Sequence, residues 1–156
     1  MNTKFEPKFE PKYAGFKDKV ISSFERQDVM KTLNASIQAV RPGEVELKIP
    51  YQKNLTQQHG FIHAGIVSTI LDSACGYAAF SLMSEHAAVL TIEFKINLLS
   101  PAKGDWFLAV GKVKKAGKNI TVAEGEFFSY ADGKEKLVAT MVGTIMSVYD
   151  RDGIEN

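Results

Sequence analysis

A chain of 156 residues, 45% hydrophobic and 24% charged, fits one soluble domain whose core is large enough to fold unaided. A formal net charge of +1 excludes a global field for nucleic acid or an anionic membrane, so any basic patch must be local. The lone cysteine, Cys75, excludes an intrachain disulfide and suits a reducing compartment.

The N-terminal stretch MNTKFEPKFEPKYAGFKDK breaks every few residues for Lys, Glu or Pro and contains no apolar core of a secretory signal. The tandem FEPK at 5–8 and 9–12 reads as an extended lead-in over residues 1–13. Phe16, Val20, Phe24 and Met30 then recur near helical spacing and predict an amphipathic helix over 14–31. The period changes to two for Leu33, Ala35, Ile37 and Ala39, the chain turns at Arg41-Pro42-Gly43, and Val45, Leu47 and Ile49 alternate again, which predicts a hairpin. Pro50 ends it, and a polar loop (52–58) follows.

The apolar run Ile62–Leu82 is interrupted by His63, Ser68, Thr69 and Asp72. A carboxylate at mid-span is costly in a bilayer, so the run predicts a buried helix (63–84) of a cytoplasmic protein with no membrane partner. One broad face carries Ile66, Val67, Ile70, Leu71, Ala74 and Ala78, and the opposite stripe Ser68, Thr69, Asp72, Gly76 and Ala79. Four strands are predicted after it. Leu90, Ile92, Phe94, Ile96 and Leu98 alternate with Thr91, Glu93, Lys95 and Asn97, and further strands lie near 106–114, 119–130 and 137–148, with turns at 101–104, Gly117 and Asp132-Gly133. Hairpin-length connections imply an α+β fold, an antiparallel sheet around one long helix, forming a single domain over 14–149 with a tail at 150–156.

The chemistry concentrates in Gln57-Gln58-His59-Gly60-Phe61-Ile62-His63-Ala64-Gly65 and in Asp72. Gly60 and Gly65 permit close backbone approach where a helix begins, and free N–H groups there suit an anion or a developing oxyanion. Asp72, two turns on, lies on the small-residue stripe, where a ligand can reach it. Its competing reading is a structural carboxylate. His59 and His63 have a metal-compatible spacing but no accompanying third ligand, so no metal is expected. Cys75 reads as packing, His86 as surface, and no Gly-x-Ser-x-Gly elbow is present. Lys112, Lys114, Lys115 and Lys118 around Gly117 form either a solvated hairpin tip or a local patch for phosphates.

This segment resembles the hotdog-fold acyl-CoA thioesterases, in particular the phenylacetate-pathway (PaaI-type) branch, which carry His-Gly-Gly at the start of the central helix and an Asp further along it. Here His63-Ala64-Gly65 and Asp72 stand in those places. His59-Gly60 and the turn Leu99-Ser100-Pro101-Ala102 also match, and the resemblance spans roughly residues 30–148. It implies hydrolysis of an acyl-CoA thioester, with the N–H of Ala64, helped by Gly65, as oxyanion donor and Asp72 of a second subunit as general base or nucleophile. Gln57, with Gln58 as its rival, would orient water or thioester, and Thr91 would hold water. Substrate contacts are expected at His59, Gly60, Gly76 and Phe80, with coenzyme A phosphates at Lys115, Gly117 and Lys118. No cofactor is implied, coenzyme A being part of the substrate. The partner is a second copy of the chain, as a dimer or dimer of dimers, with no nucleic acid. Two departures stand out: Ala64 replaces the family's first Gly, and Gln57 replaces its usual Asn. The rival functions are a non-catalytic acyl-CoA-binding hotdog module and a hydroxyacyl-thioester dehydratase.

Overall fold

The computed structural model describes residues 9–154. The first FEPK copy and the rest of residues 1–8 lie outside the described residues, as do 155–156 of the tail. The remaining lead-in is packed rather than free: Phe9 lies against the core, and the Lys12 N–H donates to the Leu82 carbonyl at 3.5 Å.

The 14–31 region forms two helices, α1 (Phe16–Arg26) and α2 (Asp28–Thr32), separated at Gln27, whose backbone is extended at φ −77°, ψ 106°. The physical reason lies in phase. Phe16, Val20 and Phe24 repeat every four residues and are buried. On a continuous helix Met30, fourteen residues after Phe16, would lie roughly 80° from the centre of that buried face, at its edge rather than on it. The break at Gln27 turns Met30 inward, where it is 1% exposed. Lys19 fastens α1 to the segment after the central helix, its Nζ donating to the Ser84 carbonyl at 2.7 Å and lying 4.0 Å from the centre of the Phe80 ring.

Next come β1 (Ser36–Arg41), β2 (Glu44–Pro50), the central helix α3 (Ala64–Phe80), β3 (Ala88–Leu98), β4 (Trp106–Ala116), β5 (Ile120–Ala131) and β6 (Lys134–Val148). Leu33 and Ala35 precede the first strand rather than belonging to it, since the second helix runs on to Thr32. All paired strands are antiparallel, in the order β1-β2-β4-β5-β6-β3, so β1 and β3 are the edges. The Asp132-Gly133 turn takes positive φ at both positions, 51° and 70°, the geometry of a tight two-residue hairpin. Among the described residues, no helix is long and apolar enough to cross a membrane.

The sheet curls around α3, and from Ala74 to Phe80 every residue of that helix is buried. Val45, Leu47 and Ile49 of β2, Phe107 and Ala109 of β4, and Phe127 of β5 meet it with 0% exposure. This is the hotdog arrangement. Closest approach occurs at Gly111, where a Cβ would collide with the Ala74 backbone. Because backbone cannot yield as a side chain can, Gly111→Ala is expected to destabilise the fold by about 1–3 kcal/mol, read as a lower denaturation midpoint with unchanged slope. An unaltered midpoint would show that helix and sheet are not in such close contact.

Candidate active site

The loop before α3 is shaped by a turn at Gln57–Phe61. Gly60 holds φ +81°, its N–H donates to the Gln57 carbonyl at 3.0 Å, and the Gln57 N–H donates to the Phe61 carbonyl at 2.9 Å. A left-handed φ favours glycine, so Gly60 serves the turn. The Gln57 side-chain oxygen accepts the His59 N–H, which fixes the amide and leaves its NH2 as donor. Gln57 is half-buried and lines a crevice, whereas Gln58 and His59 are exposed and do not.

His63 is the N-cap of α3. Its Nδ1 accepts the Gly65 N–H at 2.9 Å, a capping bond that consumes one of the orphan donors of the helix start. The expected help from the Gly65 N–H therefore fails in this geometry, because that proton is already committed. The neighbouring Ala64 N–H has no acceptor among the described residues, and Ala64 lines the same crevice as Gln57. Two hydroxyls bond back along the helix, Ser68 Oγ to the Ala64 carbonyl and Thr69 Oγ1 to the Gly65 carbonyl, at 2.9 and 2.8 Å. Those bonds account for both residues without a nucleophilic role.

Asp72 lies eight residues beyond Ala64, roughly 12 Å along the axis. It is half-buried in a second crevice of about 220 Å³, with Gly76, Thr91 and Leu90 on the walls. A Cβ built at Gly76 would meet nothing within 4 Å, so the absent side chain opens the wall beside the carboxylate. Thr91 Oγ1 donates to Asp72 Oδ1 at 2.8 Å. Burial raises the Asp72 carboxyl above the ordinary carboxylate range, and the Thr91 bond, which favours the ionised form, opposes that rise.

Thr91 reaches Asp72 because β3 is irregular. Its register against β6 shifts between Thr91↔Ile145 and Glu93↔Thr144, leaving Ile92 as a bulge. Thr91 opposes the buried Ile145, on the helix side of the sheet, and beyond the bulge Phe94 opposes Gly143 and Ile96 opposes Met141, on that same side. The clean alternation of the sequence therefore does not map onto one face: Thr91 is separated from Glu93, Lys95 and Asn97, and Leu90 from Phe94 and Ile96. Replacing Thr91 by Val removes the hydrogen bond to the charged form. If Asp72 acts ionised, the acid limb of the kcat/KM profile should move to higher pH, whereas an unmoved limb would deny Thr91 this tuning role.

One expected contact, Phe80, is corrected. Phe80 is 0% exposed, covered by Lys19 and Tyr77, and Ala79 is equally buried, so neither lines a substrate crevice. Gln27 and Tyr77 line the Asp72 crevice instead. Neither was singled out in the sequence, since the helical periodicity places Tyr77 simply as one residue of a buried helix and gives no reason to stop α1 at Gln27. Among the lysines, Lys112 and Lys114 pair with Glu44 and Glu124 at 3.7 and 3.3 Å, and Lys115 and Lys118 remain exposed at the β4–β5 tip. Gly117 closes that tip, its N–H bonding the Ile120 carbonyl at 2.9 Å. The Cys75 thiol is pushed up to about 12, first by burial and then by the Asp72 charge, which removes it as a nucleophile.

The loop, central helix and hairpins that carry these groups are also what the chain shares with known proteins. A sequence model of the Thioesterase superfamily matches residues 59–136. The chain belongs to this superfamily. A solved thioesterase family protein from Silicibacter pomeroyi is 56% identical, with a TM-score of 0.87 over 87% of this chain and 100% of that one. A curated protein of Halobacterium salinarum, provisionally named an esterase, is 34% identical over 67% of this chain and 72% of its own. The PaaI protein of the E. coli phenylacetic acid degradation operon, 22% identical, shares the fold with a TM-score of 0.77 over 85% of this chain and 93% of its own. Superfamily membership makes the chain a hydrolase of the thioesterase kind.

Proposed function

We propose that this thioesterase-superfamily chain hydrolyses acyl-CoA thioesters to a free acid and coenzyme A at a site completed by two protomers. The observation that carries the reading is the separation of two half-sites on one helix. Ala64 offers a free N–H beside Gln57, and Asp72 with Thr91 occupies a different crevice two turns away. One thioester carbonyl cannot meet both within one chain.

A two-fold axis resolves this. β3 is an open edge whose Leu90–Thr91 end belongs to the Asp72 crevice, while Leu98 and Leu99 line the Ala64 crevice. Antiparallel pairing of two β3 edges around the strand centre sets each end against the other end of its copy, so one protomer's carboxylate comes to face the partner's helix start. Ile92, Phe94, Leu98 and Leu99, all 41–54% exposed, form the apolar strip such pairing would cover.

In this reading the Ala64 N–H binds the carbonyl oxygen as it gains negative charge, a contribution of about 3–4 kcal/mol. The Gln57 NH2 orients the thioester or the water. Asp72 then either takes the proton from water as it adds to the carbonyl, or adds itself to form an anhydride that water opens. Both routes expel the thiolate, which leaves protonated as coenzyme A. Single turnover in isotopically labelled water separates them, since label entering Asp72 marks the second route. The His63 Nδ1 is engaged at the helix start, which counts against a histidine–carboxylate dehydratase pair.

Thiol release from a panel of acyl-CoA esters tests the reading, and binding without release would instead indicate the non-catalytic module. Exposed Lys115 and Lys118 suit the phosphates of coenzyme A. Replacing both by Ala is expected to raise KM several-fold with kcat unchanged, more so at low salt, while an unchanged KM would assign them to a solvated tip.

A further inference from the structure

The Asp72 crevice has a polar side that hydrolysis itself does not require. Besides the carboxylate and the open wall at Gly76, it is lined by the polar side chains of Gln27, Ser73 and Tyr77. Gln27 arrives there because the chain leaves helical geometry at that residue, between α1 and α2, in an extended backbone. Ser73 Oγ donates to the Gln27 Oε1 at 3.5 Å, a long bond, and Tyr77 Oη lies 3.4 Å from Ser23 Oγ. Tyr77 is also a hydrogen-bond partner of Gln27. These groups thus form a small network built around an amide that carries two donors and an acceptor.

The remaining wall is apolar, from Val89 and Leu90. Gln27 and Asp72 line the same crevice, so an acyl group whose carbonyl sits at Asp72 shares that space with the amide. Within one protomer this half of the shared site measures about 220 Å³, room beside the carboxylate for an acyl end group.

Resting on the thioesterase reading, we propose that Gln27 is a specificity-determining residue that selects acyl groups carrying a hydrogen-bonding substituent, such as a hydroxyl, at the end far from the thioester. A purely apolar acyl group of equal length strips water from the amide network and gives nothing back, whereas a terminal hydroxyl replaces that water. Sites built to bond a hydroxyl reject the analogue lacking it far more strongly than apolar sites reject an added one.

The test compares 6-hydroxyhexanoyl-CoA with heptanoyl-CoA, which differ only in a terminal OH or CH3. The native chain is expected to favour the hydroxylated ester in kcat/KM, and Gln27→Met to lower that ratio by about tenfold or more while keeping activity on heptanoyl-CoA. Gln27→Asn, which keeps an amide, should retain part of the preference. Should Gln27→Met not fold, Gln27→Ala carries the same comparison. A native preference for heptanoyl-CoA, or a ratio untouched by loss of the amide, overturns the proposal. If no ester releases thiol, the hydrolytic reading fails on its own account, and calorimetric binding of the same two esters to native and Gln27→Met chains decides the selectivity claim by the same ratio.

Discussion

Asp72→Asn is expected to lower kcat for acyl-CoA hydrolysis by about 100-fold or more while leaving the fold intact. Either role of the carboxylate, accepting a proton from water or attacking the carbonyl, requires the charge that Asn lacks. The electrostatics distinguish this loss from unfolding. Burial raises the Asp72 carboxyl above its ordinary value. A group whose folded pKa exceeds its unfolded one contributes stability while protonated, and that contribution is lost as pH rises through the folded value. At pH 8 the ionised side chain is therefore a burden on the fold, and a neutral amide relieves it. The Asn variant should melt no lower than the native chain at that pH, an instance of a site kept reactive against its own stability. A stable variant with undiminished kcat would return Asp72 to a structural role.

Ala64→Pro is the sharper test of the opposite half-site. Proline deletes the one N–H at the helix start that lacks an acceptor, and Ala64 is the first residue of α3, the position where a helix tolerates proline best. The preceding His63 already holds φ −61°, ψ 140°, the extended backbone that a residue before proline adopts. The fold should survive, and kcat should fall by about 10²–10³-fold, the cost of one oxyanion donor. Ala64→Gly, which keeps the N–H, should stay within a few-fold of native. Equal activity in the Pro and Gly variants would mean that the carbonyl is polarised elsewhere.

Much of this was legible in the residues because two periods dominate. The helical run around Asp72 and the alternating strands are long enough for pattern to override local propensity, and the turn at Asp132-Gly133 announces its own geometry. The differences arise where packing or a side-chain rotamer decides what the pattern of residues does not. The bulge at Ile92 leaves the alternation of β3 intact as text while reversing which residues face the helix. The break at Gln27 is marked by neither Gly nor Pro, and beyond it Met30 is packed into the core. The resemblance implies a substrate contact at Phe80, but the N-terminal helix, through Lys19, closes over it. The Gly65 N–H belongs to the cap of its own helix, a choice made by the His63 rotamer and therefore not written in the residue types.

The central claim, that each site takes its carboxylate from one protomer and its helix-start N–H from the other, is tested most directly by complementation. Asp72→Asn and Ala64→Pro chains, differently tagged and co-expressed, are each inactive as homodimers. The purified heterodimer is predicted to recover about half of native kcat per dimer, because two-fold symmetry places both lesions in one site and leaves the other whole. A heterodimer as inactive as its parents would contradict the shared site.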